Sequence, residues 1–347
     1  MFRKPFVFAL AILTLLIQTS PALSCTRFIY TADDSQVLTG RSMDWLEDLH
    51  SDIWAFSRGM DRDGGVGKES IRWTSKYGSI IISGYDAGSA DGMNEKGLVA
   101  NLLYLSESEY GELSGKPGLS VAAWVQYVLD NYATVSETVD ALRKEPFRIV
   151  ATTFPNGSAP TLHLAVSDST GDSAILEYIK GKLTIHHGKQ FKVMTNSPIY
   201  DRQLALDDYW QQIGGLTMLP GTNRASDRYV RASFYVNALP KFKDNRMAVS
   251  AAFSVIRNVS VPLGITTPDH PNISTTIWRT VSDQKNLVYY YESAISPNIF
   301  WIDLKKIDFS SSLKTRKISL QGHPIFAGDV SGKFVPATPF KWLSPTN

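Results

Sequence analysis

The stretch CTRFIYTADDSQVLTGRSMDW, residues 25–45, opens on the only cysteine of the 347-residue chain. Two runs within it, TRFIYTA and SQVLTGRSMDW, alternate apolar and polar side chains about the polar Asp33-Asp34-Ser35. Period-two patterning bounded by turn formers predicts a β-hairpin, here one headed by a thiol. Upstream, Arg3 and Lys4 precede an apolar run over residues 6–17 and a small-residue exit, Ala22-Leu23-Ser24. That is the layout of an export signal cut after Ser24. The run is too short to span a bilayer, which takes about 20 apolar residues. The sequence therefore predicts that residues 1–24 are removed, that Cys25 becomes the new N-terminus of an exported, periplasmic protein, and that residues 25–347 form one domain. A lipid-anchored cysteine is the competing reading. Such anchors normally carry Leu three residues upstream, where this chain has Ala22.

Lys and Arg number 35 against 33 for Asp and Glu, and Arg3 and Lys4 are the only charges before residue 25, so the mature chain is formally neutral. A balanced surface offers no electrostatic footprint for nucleic acid or anionic membrane. An exported chain with one odd cysteine cannot close an internal disulfide, which marks Cys25 as a candidate reactive thiol.

Beyond the hairpin, residues 58–70 read as a Gly-rich charged loop, 71–86 and 97–105 as strands, and ADGMNEKG (90–97) as the turn between them. Helical spacing follows at 120–132 and at 134–144, the latter with Thr134 and Glu137 in capping-box register. Strand patterns return over 161–168, 173–181, 182–187 and 191–198. Three helical patterns cover 202–213, 225–239 and 247–259. The chain then returns to β-branched and aromatic strands at 274–283, 286–294 and 298–304. Blocks of strands alternating with blocks of helices argue for an α+β fold with antiparallel sheets.

Once cut, Cys25 carries a thiol and an α-amine on one residue, and such an amine titrates near pH 8 in model compounds. A nucleophile and its base then lie side by side. Arg41 and Asp44, three apart in a strand followed by a turn, are placed to face Cys25, the cation favouring thiolate and the carboxylate holding the α-ammonium. On the residues alone a solvated surface pair remains open. So does a simple turn role for Asn196 before Ser-Pro, and Arg228 competes with Arg224 and Arg231 on its own helix. His186 and His187 are adjacent in a strand and so face opposite ways, which speaks against a metal site.

The segments CTRFIY, GRSMDW, DGMNEKGL, LTIHH…VMTNSP and LPG…SDRYVR together resemble the choloylglycine hydrolase family of bile-salt hydrolases and penicillin V acylases, from Cys25 to the last aromatic strands. The resemblance implies the N-terminal-nucleophile hydrolase fold, a four-layer αββα sandwich. It implies Cys25 as nucleophile, Arg41 beside the sulfur, Asp44 at the α-amine and Arg228 steadying the nucleophile. It also implies an oxyanion hole from the Asn196 side chain and the Tyr104 backbone N–H, and no metal or organic cofactor.

Trp45 and Tyr104 would add aromatic walls for an acyl group of a small N-acyl amide substrate. An aromatic at 104, with the texture of CTRFIY and SMDWLED, resembles the penicillin V acylases of Gram-negative bacteria, relatives that also cleave long-chain N-acyl homoserine lactones. Conjugated bile-salt hydrolysis and a non-enzymatic binding protein are the alternatives. Tetramers are common in the family, but the short segment between Asn196 and Leu219 lacks the longer insertion of Gram-positive members and weakens that expectation.

Overall fold

The computed structural model describes residues 24–345 apart from 33–35, 113–114, 156, 158–160, 266–273, 311 and 313–314. The expected export signal, the Asp33–Ser35 turn and His270 thus lie outside the described residues. Cys25–Thr31 and Val37–Trp45 pair antiparallel, with Cys25 opposite Met43 and Arg27 opposite Arg41. This hairpin occupies the interior of a seven-stranded sheet, flanked by Val193–Met194 on one side and by Thr275–Asp283, Val288–Ser293, Ile299–Asp303 and Gly328–Asp329 on the other. The last pair is parallel and all the others are antiparallel.

A second, nine-stranded sheet runs Lys182–His187, Ser173–Ile179, Leu162–Ser167, Val99–Tyr104, Gly88–Asn94, Ser79–Gly84, Ile53–Phe56, Arg316–Ile318 and Val335–Pro336, antiparallel throughout. Helices α1 (Trp124–Asn131) and α2 (Val135–Leu142) cover its outer face. Helices α3 (Tyr200–Ile213), α4 (Ala225–Ala238) and α5 (Asn245–Asn258) lie on the side of the first sheet, where α4 and α5 pack against the hairpin and α3 against α4. The layers follow the predicted αββα order. Strand alternation divides the apolar material accordingly: Ile80 and Ile82 join the core between the sheets, while Ile81 joins the core under α1 and α2.

The predicted capping box is present, with Thr134 Oγ1 accepting from Glu137 N–H at 3.2 Å and Glu137 Oε2 accepting from Ala133 N–H at 2.7 Å. Two expectations are corrected. Residues 58–70 are not simply a loop, since Asp61–Asp63 pairs with Arg72–Thr74. More consequentially, most of ADGMNEKG is not a turn but part of the strand Gly88–Asn94, and the turn is confined to residues 95–97. Its Gly and Asn argued for a turn, yet in the strand they serve close packing, and Asn94 Nδ2 donates to Leu129 O at 2.9 Å and to Tyr132 O at 2.8 Å. A Cβ on Gly92 would lie 2.6 Å from Ile80 O, and buried Asp91 accepts from Asn101 Nδ2 at 2.7 Å.

Candidate active site

Cys25 begins the first strand, is 2 % exposed, and has its Sγ 3.9 Å from Met43 Sδ and 3.8 Å from Asp44 O. Its backbone is gripped from distant parts of the chain. The Cys25 N–H donates to Asn196 Oδ1. The Cys25 carbonyl accepts from Arg228 Nη1 at 2.7 Å.

Arg228 reaches from α4 between helix and sheet and is fully buried. It also donates to Thr26 Oγ1 at 2.5 Å, to Asn196 Oδ1 at 2.9 Å and to Asn223 O at 3.0 Å, and lies 3.8 Å from Asp44 Oδ2. Its rivals are elsewhere: Arg231 donates to the carbonyls of Pro220 and Thr222, and Arg224 precedes the first turn of the helix, where its side chain makes no capping bond.

Asp44 and Arg41 do not face Cys25 together as expected. Val37–Trp45 is one continuous strand, so positions three apart point to opposite faces. Asp44 lies on the helix side with Arg228, and its Oδ1 accepts from Thr276 Oγ1 at 2.5 Å. Arg41 lies between the sheets, on the face its cross-strand partner Arg27 shares. It donates through Nη2 to Leu102 O at 2.8 Å, approaches Asp91 Oδ2 at 3.6 Å and sits 4.6 Å above the Trp278 ring. Its buried Nη1 has no hydrogen-bond partner among the described residues. The two groups therefore flank Cys25 from above and below the sheet.

Burial dominates the charges. Desolvation pushes the Cys25 thiol above its usual range, opposed by Arg41 and reinforced by Asp44. Asp44 is pushed up to about 6, mainly by burial, with Arg228 and the Thr276 hydroxyl pulling the other way. Desolvation also lowers the Arg228 guanidinium, against the pull of Asp44.

Asn196 follows the short strand beside Cys25–Thr31 and is fixed on several sides. Gln203 Nε2 donates to Asn196 O and, at 2.7 Å, to Pro198 O, while Gln203 Oε1 accepts from Thr195 Oγ1 at 2.9 Å. Behind Thr195 stands a buried pair. His163 Nε2 lies 2.8 Å from Thr195 O, and Nδ1 lies 2.9 Å from Glu177 Oε1. A carbonyl only accepts, so Nε2 carries a hydrogen. Glu177 Oε2 accepts from Tyr200 N–H at 3.0 Å, which leaves one proton shared between Nδ1 and Oε1.

Asn196 Nδ2 donates to Tyr104 O at 2.7 Å. Tyr104 stands opposite Leu162, and Leu105 N–H donates to Thr161 O, so the Tyr104 N–H and C=O both point away from that strand. They point to the edge that the neighbouring strand leaves, because its pairing with Val99–Tyr104 ends at Asp91. Through this opening runs an apolar cleft with Cys25, Arg41 and Met43 on one side and Leu102, Tyr104, Leu162 and Ala122 on the other. Trp45 lines it as well, its ring edge-on to Phe154 at 5.4 Å and its Nε1 donating to Tyr85 OH at 2.8 Å.

All the predicted site residues thus converge on one place. Sequence reasoning missed Thr276, Gln203, the His163–Glu177 pair, Asp91, Tyr85 and Phe154. Only the buried histidine inside an apolar strand carried a signal of its own.

The sequence pattern described as linear amide C–N hydrolases, choloylglycine hydrolase family, matches residues 25–316. The chain belongs to the choloylglycine hydrolase family of linear amide hydrolases. It is 50 % identical to the penicillin V acylase of Pectobacterium atrosepticum over 98 % of this chain and 97 % of that one. The structure of penicillin V acylase from Agrobacterium tumefaciens superposes with a TM-score of 0.86 at 56 % identity, covering 92 % of this chain and all of that one. The bile salt hydrolase/transferase of Clostridium perfringens is 28 % identical over 84 % of this chain and 96 % of its own length. The family match starts on the residue that heads the first strand and stops at Arg316, leaving residues 317–347 outside it.

Proposed function

We propose that this amide hydrolase cleaves penicillin V-like N-acyl amides, and long-chain N-acyl homoserine lactones, with Cys25 as an N-terminal nucleophile. Residues 1–24 act as an export signal whose removal in the periplasm frees the Cys25 α-amine. The observation that carries the reading is the clamp on the Cys25 backbone. Asn196 accepts from the Cys25 N–H, Arg228 donates to the Cys25 carbonyl and Asp44 stands beside Arg228, so three separate segments converge around the Cys25 backbone.

The amine takes the thiol proton as sulfur adds to the amide carbonyl, then passes that proton to the departing nitrogen as the C–N bond breaks. The Tyr104 N–H and Asn196 Nδ2 receive the negative oxygen, Nδ2 exchanging its bond to Tyr104 O for one to the substrate. Two such donors are worth roughly 10²- to 10³-fold in rate each. Water, deprotonated by the same amine, then hydrolyses the thioester and restores thiol and amine. The cation of Arg41 lowers the energy of the thiolate on the cleft side, and its unpaired Nη1 leaves a donor there. The apolar wall of Trp45, Phe154 and Leu162 suits an aryl or alkyl acyl group.

Cys25→Ser in the exported protein, assayed on penicillin V, tests this. Retained folding with loss of turnover is expected, and full turnover would sink the mechanism. Glycocholate assayed beside penicillin V separates the bile-salt alternative.

A further inference from the structure

Residues 337–343 lie outside the stretch that matches the family, yet they reach the cleft. The segment is anchored along its length. Ala337 N–H donates to Thr315 O at 2.9 Å. The Phe340 ring meets those of Trp54 at 5.2 Å and Phe56 at 5.9 Å, and Trp342 meets Phe340 at 5.2 Å. Gly65, at φ +74°, makes room for it, since a Cβ there would stand 2.7 Å from Trp342 Cβ. Leu343 is tied on both sides, its N–H donating to Ala87 O at 2.7 Å and its C=O accepting from Ser120 Oγ at 2.6 Å. So held, Leu343 forms part of the cleft wall beside Ala87 and Ala122, on the helix side of the second sheet. Cys25 lines the same cleft from the first sheet.

We propose that this strap, through Leu343, sets the length of acyl chain that the cleft accepts. The inference rests on the reading above, in which the acyl group lies along the cleft with its carbonyl at Cys25. A wall whose backbone is tied by two hydrogen bonds and an aromatic anchor resists displacement, so an acyl chain that reaches Leu343 is stopped there. Each further methylene that finds room gains about fourfold in affinity, and one that meets the wall loses that gain. Leu343 is therefore a specificity-determining residue contributed by a part of the chain that the family pattern does not include.

The test uses the full mature chain carrying Cys25→Ala, titrated calorimetrically with straight-chain carboxylates from butanoate to dodecanoate, alone and with Leu343→Ala or Leu343→Trp. Turnover of the matching N-acyl amides is measured in parallel with Cys25 intact. Leu343→Ala is expected to move the best-bound chain longer, and Leu343→Trp to move it shorter with about fifteenfold weaker binding of the longest chains, two methylenes' worth. Identical length profiles in all three proteins would overturn the strap's role while leaving amide hydrolysis standing. Failure of the parent to bind any carboxylate would also overturn it, and only absence of turnover besides would remove the hydrolase reading.

Discussion

Asp44 is held in a place that costs stability. Its carboxyl is raised to about 6 in the fold, above the value of about 3.9 in an unfolded chain. A carboxyl so raised favours folding in its protonated form. The advantage is fully present below about pH 4 and is lost as the pH climbs to about 6. Asp44→Asn should therefore be no less stable than the parent at pH 7 by thermal melting, yet lose turnover roughly 10²-fold as the α-amine loses its anchor. A large drop in melting temperature would show that the Arg228 ion pair outweighs the burial cost. Asn196→Ala probes the other side of the clamp. A loss of 10²- to 10³-fold in kcat with KM little changed is expected if its amide receives the oxyanion, since that charge exists only on the way to the intermediate. An equal effect on KM alone would assign Asn196 to ground-state binding. Of these two residues the sequence showed the types but not the geometry. Asn196 is 171 positions from Cys25, and nothing local distinguishes it from an ordinary turn residue.

Elements carry the clamp to its place. The Leu162–Ser167 and Ser173–Ile179 strands face His163 and Glu177 into the space between the sheets, where they brace Thr195 and hence Asn196. Glu177→Gln can keep every bond, its amide donating to a neutral His163 Nδ1 and its oxygen accepting from Tyr200 N–H. Glu177→Ala leaves both groups buried and unpaired, at about 1–3 kcal/mol each. Kinetics on the two variants should show kcat lowered in the alanine variant, KM nearly unchanged, and recovery in the glutamine variant. Loss of kcat in both would mean that the carboxylate charge itself is needed.

At this scale the sequence was legible where periodicity was strong. The hairpin, the five helices and the three closing aromatic strands stand where the pattern put them. It misled where residues with turn propensity serve packing, as in Gly88–Asn94, whose Gly92 lies flat against Ile80 and whose Asp91 faces Arg41. It misled again where Val37–Trp45 runs on as a strand past Arg41, which sends Arg41 and Asp44 to opposite faces.

For the molecule as a whole, the proposed chemistry turns on one peptide bond. While Ser24 is joined to Cys25, the nitrogen at the centre of the clamp is an amide that donates its hydrogen to Asn196 and cannot act as a base. Burial pushes the thiol beside it above its usual range. Cutting that bond would replace the amide with an amine, a group that titrates near pH 8 in model compounds, at the place where Asn196 Oδ1 accepts from the nitrogen. Asn196 and Arg228 hold the Cys25 backbone in the chain that carries Ser24.

The most direct test is the intact mass and N-terminal residue of the exported protein, with hydrolysis of penicillin V measured on the same sample and on a form that retains residues 1–24. The account predicts a chain beginning at an unmodified Cys25 that turns over penicillin V, and an inert uncut form. Turnover by the uncut form, or by a chain whose Cys25 amine is blocked by a lipid or by Ser24, would contradict it.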